Sequence, residues 1–216
     1  NTVLGDHGVM TFNSTGGMLT LATMDPTIGA ADSITTTGGR DIILGGAARD
    51  TIAAGNGTNL VLGDHGSITL NGLGQWLTVE STNPTNGDND TINTGIDNDV
   101  VFGGFGADTI NAADGRNVVA GDNARATFNA AGQILTLATT SAGNGGVDAI
   151  TTGSGNDVVL GGTAGDTITV NGGDNFVMGD NGAVTLNAAG AVIRMESTDS
   201  SVGGNDTISS LGGNDI

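Results

Sequence analysis

Aspartate recurs at nine-residue intervals along this chain, and this spacing is the first feature that could carry chemistry. Asp90, Asp99 and Asp108 are nine residues apart, and Asn117 follows at the same interval. Short carboxylates set among glycine and asparagine form turns, and together with backbone carbonyls they bind hard cations such as Ca²⁺. The pattern predicts calcium sites whose candidate ligands in these columns are Asp32, Asp41, Asp50, Asn59, Asp90, Asp99, Asp108, Asn117, Asp148, Asp157, Asp166, Asn175, Asp206 and Asp215.

A separate aspartate column lies in a Gly-Asp-His or Gly-Asp-Asn turn. Its members, also candidate calcium ligands, are Asp6, Asp64, Asp122 and Asp180. Ligation of an ion at the end of a row and hydrogen bonding to nearby backbone amides both fit such a turn. The same two interpretations stay open for the asparagines of the nine-residue columns. For the aspartates at the Asp32, Asp41 and Asp50 positions, the regular phase favours ligation over a purely turn-forming role.

Composition limits the partners that this chain can have. Its 23 acidic residues face five arginines and no lysine, which gives a formal net charge of -18. Nucleic acid and anionic membrane surfaces are therefore poor partners. No apolar run approaches the roughly 18 residues of a membrane span, so membrane insertion is not expected. With 40 glycines, 3% aromatic residues and no cysteine, the chain predicts a thin core of small aliphatic side chains without disulfides.

The chain consists of a 58-residue unit that is repeated almost four times. Asn-x-Val-x-Gly-Asp returns at a constant step of 58, and units 1–58, 59–116 and 117–174 align without a gap. Residues 175–216 form an incomplete fourth unit. Fixed periods of this kind are typical of solenoids, so we expect residues 1–216 to form one continuous repeat array, excerpted from a longer one.

One nonapeptide gives the repeat a family resemblance. Residues 103–111 read Gly-Gly-Phe-Gly-Ala-Asp-Thr-Ile-Asn, which resembles in full the Gly-Gly-x-Gly-x-Asp-x-aliphatic-x motif of the repeats-in-toxin (RTX) calcium-binding proteins. Other copies depart from it: Ala48 replaces the third glycine, and Asn59 replaces the aspartate. The resemblance implies an all-β parallel β-roll, Ca²⁺ held between successive turns, and secretion by a type I export system.

An aliphatic residue stands two positions after each aspartate of the nine-residue columns, as Ile34 follows Asp32. In the β-roll that the resemblance implies, two nonapeptides make one coil of 18 residues. The middle residue of each three-residue strand then points inward, and these aliphatic side chains fill the core. Residues 18 apart share an edge at about 4.8 Å, so we expect Asp32 beside Asp50 and Asp90 beside Asp108.

The rest of each unit allows two architectures. Residues 68–71 and 76–80 are two alternating runs around a short glycine-containing turn. We favour a third coil, because Leu70 and Val79 keep the nine-residue step of the aliphatic residues. The alternative is two coils plus a projecting antiparallel hairpin.

Enzymatic sites find little support in the sequence. His7 and His65 share a column with Asn123 and Asn181, and a catalytic or zinc-binding histidine would not exchange with asparagine, so both histidines are expected to be exposed turn residues. The only glutamates, Glu80 and Glu196, also share one column, without cleft-forming loops around them. We therefore expect no catalytic activity.

The expected function is that of a calcium-rigidified β-solenoid segment within a secreted or cell-surface repetitive protein, such as an adhesin, surface layer or filament. Its expected partners are calcium ions, neighbouring repeats of the same chain, and further copies of itself. Two alternatives remain. The segment could be an accessory module of a secreted enzyme, or an ice-binding solenoid that uses its threonine rows at Thr11, Thr69, Thr127 and Thr185 and at Thr20, Thr78 and Thr136.

Overall fold

A computed structural model describes residues 1–216 as an all-β protein of 22 strands in three sheets. The inner sheet is parallel and contains, in spatial order, β1 (Thr2–Leu4), β5 (Ile42–Leu44), β7 (Leu60–Leu62), β11 (Val100–Gly104), β13 (Val118–Asp122), β17 (Val158–Gly162) and β19 (Phe176–Asp180). The outer sheet is also parallel and contains β4 (Ser33–Thr35), β6 (Thr51–Ala53), β10 (Thr91–Thr94), β12 (Thr109–Ala112), β16 (Ala149–Thr152), β18 (Thr167–Gly172) and β22 (Thr207–Gly212). No helix of the protein has the length and apolar character needed to cross a bilayer.

The third sheet, here called the hairpin sheet, is antiparallel. It contains β2 (Gly8–Phe12), β3 (Met18–Thr23), β8 (Gly66–Leu70), β9 (Trp76–Ser81), β14 (Ala124–Phe128), β15 (Ile134–Thr139), β20 (Gly182–Leu186) and β21 (Val192–Ser197). Consecutive strands form one hairpin per unit, and neighbouring hairpins pair with each other through β3 and β8, β9 and β14, and β15 and β20. The sheet therefore continues from unit to unit.

Alternation between the two parallel sheets builds the roll, and its narrow core forms as predicted. In this core each nonapeptide contributes its central aliphatic residue, for example Ile34, Ile43, Ile52 and Val61. Ile52 and Val61 have no solvent exposure. Small branched side chains fit here because a three-residue strand turns only one side chain inward.

The prediction of a third coil is wrong, and the two-coil alternative is correct. Ile52 pairs directly with Ile92 in the outer sheet, and Val61 pairs directly with Val101 in the inner sheet. No strand position is left between them for residues 66–81. Ile68 instead pairs antiparallel with Val79 within the hairpin. The nine-residue step at Leu70 and Val79 therefore comes from the length of a hairpin.

The hairpins do not project from the roll but lie against the outward face of the inner sheet. Leu60 and Leu62 of the inner sheet belong to the same buried cluster as Ile68, Trp76 and other hairpin residues. The inner sheet is thus covered on both faces, and its strands are continuous apolar runs, as buried parallel strands usually are. Outer-sheet strands are covered on one face only, so Thr51 is exposed while Ile52 is buried.

Candidate metal sites

One edge of the roll carries an uninterrupted row of seven aspartates. We call it the aspartate edge; its row is Asp32, Asp50, Asp90, Asp108, Asp148, Asp166 and Asp206. Each residue stands just before an outer-sheet strand, where the chain arrives either from an inner-sheet strand or from the loop after a hairpin. The backbone N–H of Asp90 donates to Oδ1 of Asp108 over 2.7 Å, and that of Asp108 donates to Oδ1 of Asp148 over 2.8 Å. The predicted neighbours Asp32 and Asp50 are joined in the same way. The backbone thus fixes the carboxylates from Asp50 to Asp206 in one orientation.

The second oxygen of these carboxylates has no partner. Oδ2 is buried and without a hydrogen bond in Asp32, Asp50, Asp90, Asp108, Asp148 and Asp166. Asp90 and Asp108 are only 2% and 1% exposed, so bulk water does not reach their carboxylates. A buried unpaired carboxylate oxygen is costly, and a cation at this place would remove that cost.

A row of glycines faces these oxygens. Its members, each at or just beyond the end of an inner-sheet strand, are Gly5, Gly45, Gly63, Gly103, Gly121, Gly161 and Gly179. A Cβ added to Gly103 would overlap both Oδ2 of Asp108 and the carbonyl oxygen of Gly121, the next glycine of the row. The same overlap recurs along the row. Because no side chains stand here, one carboxylate oxygen and one carbonyl oxygen converge per strand, and we call the line that they form along the edge the channel.

This oxygen set fits Ca²⁺. No group of three or more carboxylates or imidazoles gathers at one point of the chain, so an ion in the channel must draw on turn carbonyls as well as aspartates. Mixed carboxylate and carbonyl coordination is characteristic of Ca²⁺, which takes six to eight oxygens in flexible geometry. The aspartates and glycines on either side of each gap are the residues that would hold the ion.

The pKa values of the row reflect the same crowding. Burial, together with the charges of neighbouring aspartates, raises the pKa of Asp90 and of Asp108 to about 8. The same two causes raise the pKa of Asp148 to about 10. A carboxylate with a raised pKa is destabilised in its charged form. The aspartate edge therefore lacks a positive charge that would stabilise its carboxylates.

The Gly-Asp-His column lies beside the aspartate edge, with its carboxylates bonded to backbone amides. Oδ2 of Asp64 accepts from the N–H of Phe105 at 2.5 Å, and Oδ1 accepts from Asp88 at 3.3 Å. Equivalent bonds form at Asp6 and Asp122, and one forms at Asp180. Asp6, Asp64 and Asp122 each fasten the loop that follows the hairpin to the next turn, whereas Asp180 contacts only the loop. These contacts favour the turn interpretation, and ligation by this column stays a prediction.

The opposite edge of the roll alternates asparagine with aspartate. We call it the asparagine edge; the predicted residues on it are Asp41, Asn59, Asp99, Asn117, Asp157, Asn175 and Asp215. Their backbone ladder matches that of the aspartate edge, since Asn59 donates its N–H to Oδ1 of Asp99 over 2.8 Å. The predicted ligands therefore divide between two separate edges.

Side chains fill the asparagine edge where the aspartate edge has glycine. Five residues before each asparagine or aspartate stands a residue such as Thr94, Ala112 or Thr152, and these three pair side by side in the outer sheet. Burial raises the pKa of Asp99 to about 6, and hydrogen bonding from the Thr94 hydroxyl offsets part of that rise. Thr94 Oγ1 and Asp99 Oδ2 are both buried without a partner at full hydrogen-bond geometry, so the hydroxyl only partly satisfies this carboxylate.

The histidine column does not lie where we expected. His65 is only 1% exposed, as are Asn123 and Asn181, so the prediction of exposed turn residues is wrong for His65. Its Nε2 lies 3.1 Å from the carbonyl oxygen of Pro26. Asn123 bonds through Nδ2 to the carbonyl of Asn144 over 2.9 Å. Both residues pin a post-hairpin loop, a role that histidine and asparagine can share.

Two stacked parallel sheets, closed along one edge by glycine turns and aspartates, define the protein as a β-roll of the calcium-binding class. The chain belongs to the RTX calcium-binding nonapeptide repeat family, whose pattern (4 copies) matches residues 28–64, 84–119, 142–177, 151–186 and 203–216. These matches cover more than half of the chain, and most of each hairpin lies outside them. The family resemblance and the predicted Ca²⁺ cofactor are thereby confirmed. No match was found among curated proteins or among solved structures.

Proposed function

We propose that this chain is a structural segment of a secreted or cell-surface repetitive protein, in which Ca²⁺ turns the repeat array into a rigid rod. RTX repeats are typical of secreted proteins and bind Ca²⁺. The observation that carries the proposal is the row of unpartnered Oδ2 atoms, which continues without a break from Asp32 to Asp166 through the three complete units. An ion in each gap would tie successive coils together along the axis, and so stiffen it.

Size supports a spacer role. Each unit adds two strands to each of the three sheets, so it lengthens the array by about 10 Å at the usual strand spacing. The cross-section stays constant, because each unit repeats the same layers. Segments of this kind suit an adhesin, a surface layer or a filament, where the reach of a protein depends on repeat number. We propose a structural and not a catalytic role for the segment.

Small-angle X-ray scattering tests the proposal. Chains of four, eight and twelve units are compared in excess Ca²⁺, in excess Mg²⁺ and in chelator. We expect the maximum dimension to grow by about 10 Å per unit in Ca²⁺, and the chains to be expanded and flexible in chelator, since the carboxylates of the row then repel one another. Mg²⁺ is the control, because it prefers octahedral sites and its own water. Compact rods of equal length in all three conditions would contradict the proposal.

A second candidate function rests on the outer face of the hairpin sheet. The two threonine columns join into one row across the strands, since Thr20 pairs with Thr69, and Thr78 with Thr127. Such a regular row favours binding to an ordered surface such as ice. Thermal hysteresis of the wild-type chain, compared with a Thr78→Lys variant, tests it. Equal freezing behaviour of the two chains and a serum albumin control would dismiss it.

A further inference from the structure

The two edges of the roll share one backbone ladder but differ in what fills the space beside it. On the aspartate edge that space is lined by glycine. Buried Oδ2 atoms without a partner occur on both edges, since those of Asp41, Asp99 and Asp157 on the asparagine edge also have none, so the difference lies in what stands beside the carboxylates. On the asparagine edge the corresponding position holds a side chain at every turn. Ala54, Ala112, Thr152 and Val170, which occupy it, have no solvent exposure. Methyl and hydroxyl groups thus stand where the other edge has its channel.

Asparagine amides also use the carbonyl oxygens that an ion would need. Nδ2 of Asn59 donates to the carbonyl of Gly55 over 3.0 Å, and Nδ2 of Asn117 donates to that of Ala113 over 2.9 Å. On the aspartate edge no side-chain amide takes this role, because every member of the row is aspartate. An N–H donor placed among carbonyl oxygens satisfies them directly, and it repels a cation from the same place.

Two other carboxylates near the asparagine edge are likewise engaged by the backbone. Oδ1 of Asp114 accepts the N–H of Ser154 at 2.7 Å, and Oδ1 of Asp174 accepts that of Asn214 at 2.9 Å. Charge is also diluted here, since asparagine replaces every second member of the ladder. Two neighbouring carboxylates, which Ca²⁺ would bridge on the aspartate edge, never follow each other on this one.

We propose that Ca²⁺ occupies the aspartate edge only, and that the asparagine edge is a metal-free ladder held by Asn, Asp and Thr side chains. The inference rests on the proposed function for the ion itself, but it assigns the ion to one side of the roll. The roll is then a one-sided calcium structure. Asp41, Asp99, Asp157 and Asp215 are ladder residues in this arrangement, as are the asparagines between them.

Calcium stoichiometry tests the assignment on the full chain. A row of seven aspartates has six gaps, so equilibrium dialysis should find about six ions per chain, whereas two occupied edges would give about twelve. Asp108→Asn removes a carboxylate that borders two gaps, and we expect it to lower the stoichiometry by one to two ions. Asp99→Asn is the matched control on the other edge, and we expect it to leave the stoichiometry and the calcium midpoint unchanged.

A second pair of variants covers the case in which Asp108→Asn fails to fold. Gly103→Ala keeps every charge but places a methyl group in the channel, and we expect it to weaken calcium binding at that gap at least tenfold. Ala112→Gly, its counterpart on the asparagine edge, should not raise the number of ions bound. Equal losses for Asp99→Asn and Asp108→Asn, or about twelve ions on the wild-type chain, would overturn the one-sided assignment and leave the proposed rod intact. Failure of the wild-type chain to bind Ca²⁺ would instead overturn the proposed function.

Discussion

The backbone N–H of Asp50 donates to Oδ1 of Asp90 over 2.7 Å, although the two residues are 40 positions apart. Asp90 makes the same bond to Asp108 across only 18 positions. The hydrogen bonds of the aspartate row are therefore the same whether or not a hairpin intervenes between two aspartates. The chain leaves the roll to form the hairpin and returns without changing the spacing of the carboxylates. Hairpin and calcium row are separable parts of one unit.

Separability predicts the result of deleting a hairpin. Residues 64–89 are replaced by the four-residue turn of residues 104–107, which restores a spacing of 18 in the row. We expect the calcium stoichiometry to stay within one ion of the wild-type value. The urea midpoint should fall, because Leu60 and Leu62, which are 0% and 1% exposed in the wild-type chain, lose the hairpin that covers them. A Leu73→Ser change at the exposed hairpin tip is the control. Loss of most calcium binding would show that the hairpin is needed to form the row.

Phe102 should be among the most sensitive core positions. It has no solvent exposure and belongs to the cluster between the inner sheet and the hairpin sheet. Truncation of a buried phenylalanine to alanine costs about 3–5 kcal/mol, so we expect Phe102→Ala to lower the free energy of unfolding in Ca²⁺ by that amount. Phe12→Ala is the control, since Phe12 is 56% exposed. Similar urea midpoints for both variants would argue against the tight contact between the two layers.

Acid should partly replace calcium. In the calcium-free fold, burial and neighbouring charges raise the pKa of Asp90 and of Asp108 to about 8, above the ordinary value of 3.8. The folded chain then binds more protons than the unfolded chain between about pH 4 and pH 8, so its stability falls as pH rises through this window. We expect the β-sheet signal in circular dichroism to increase when the chelated chain is taken from pH 7.5 to pH 5. The same titration in excess Ca²⁺ should be nearly flat, and an unchanged coil spectrum at pH 5 in chelator would contradict the expectation.

An Asp64→Ala variant tests whether Asp64 fastens a loop or binds calcium. Its carboxylate accepts the N–H groups of Phe105 and Asp88, so Asp64→Ala should speed hydrogen exchange at these two amides by at least tenfold. We expect calcium affinity to change much less than it does in Asp108→Asn. Asp25→Ala, at an exposed loop position, controls for the loss of one negative charge. A loss of affinity as large as that of Asp108→Asn would identify Asp64 as a ligand.

The roll could be predicted because its rule is local. A constant nine-residue step placed Asp32 beside Asp50 and put Ile52 and Val61 in the core, and the structure contains both features. The hairpin layer escaped prediction because Leu70 and Val79 keep the same step inside a different architecture. The missed signal lies in the inner-sheet strands, where Leu60, Val61 and Leu62 are all apolar, although a roll covered on one side needs only the middle one.

The difference between the edges was also present in the sequence. Glycine stands five residues before Asp50 and Asp108, whereas threonine or alanine stands five residues before Asp99 and Asn117. The effect of this difference on calcium binding depends on which backbone atoms come together from residues 18 or 40 positions apart. That information belongs to the stacked structure, since no single nonapeptide contains two neighbouring turns.

All strands of the three sheets run across the long axis of the array. A force along that axis therefore stretches the hydrogen bonds between neighbouring strands along their own direction. Each unit contributes two strands to each of the three sheets, so its complete detachment requires its two coils and its hairpin to part from their neighbours. Each such event would release 58 residues, up to about 200 Å of extended chain. We therefore expect an array under tension to lengthen in equal steps, and the length of the repeat sets the size of each step.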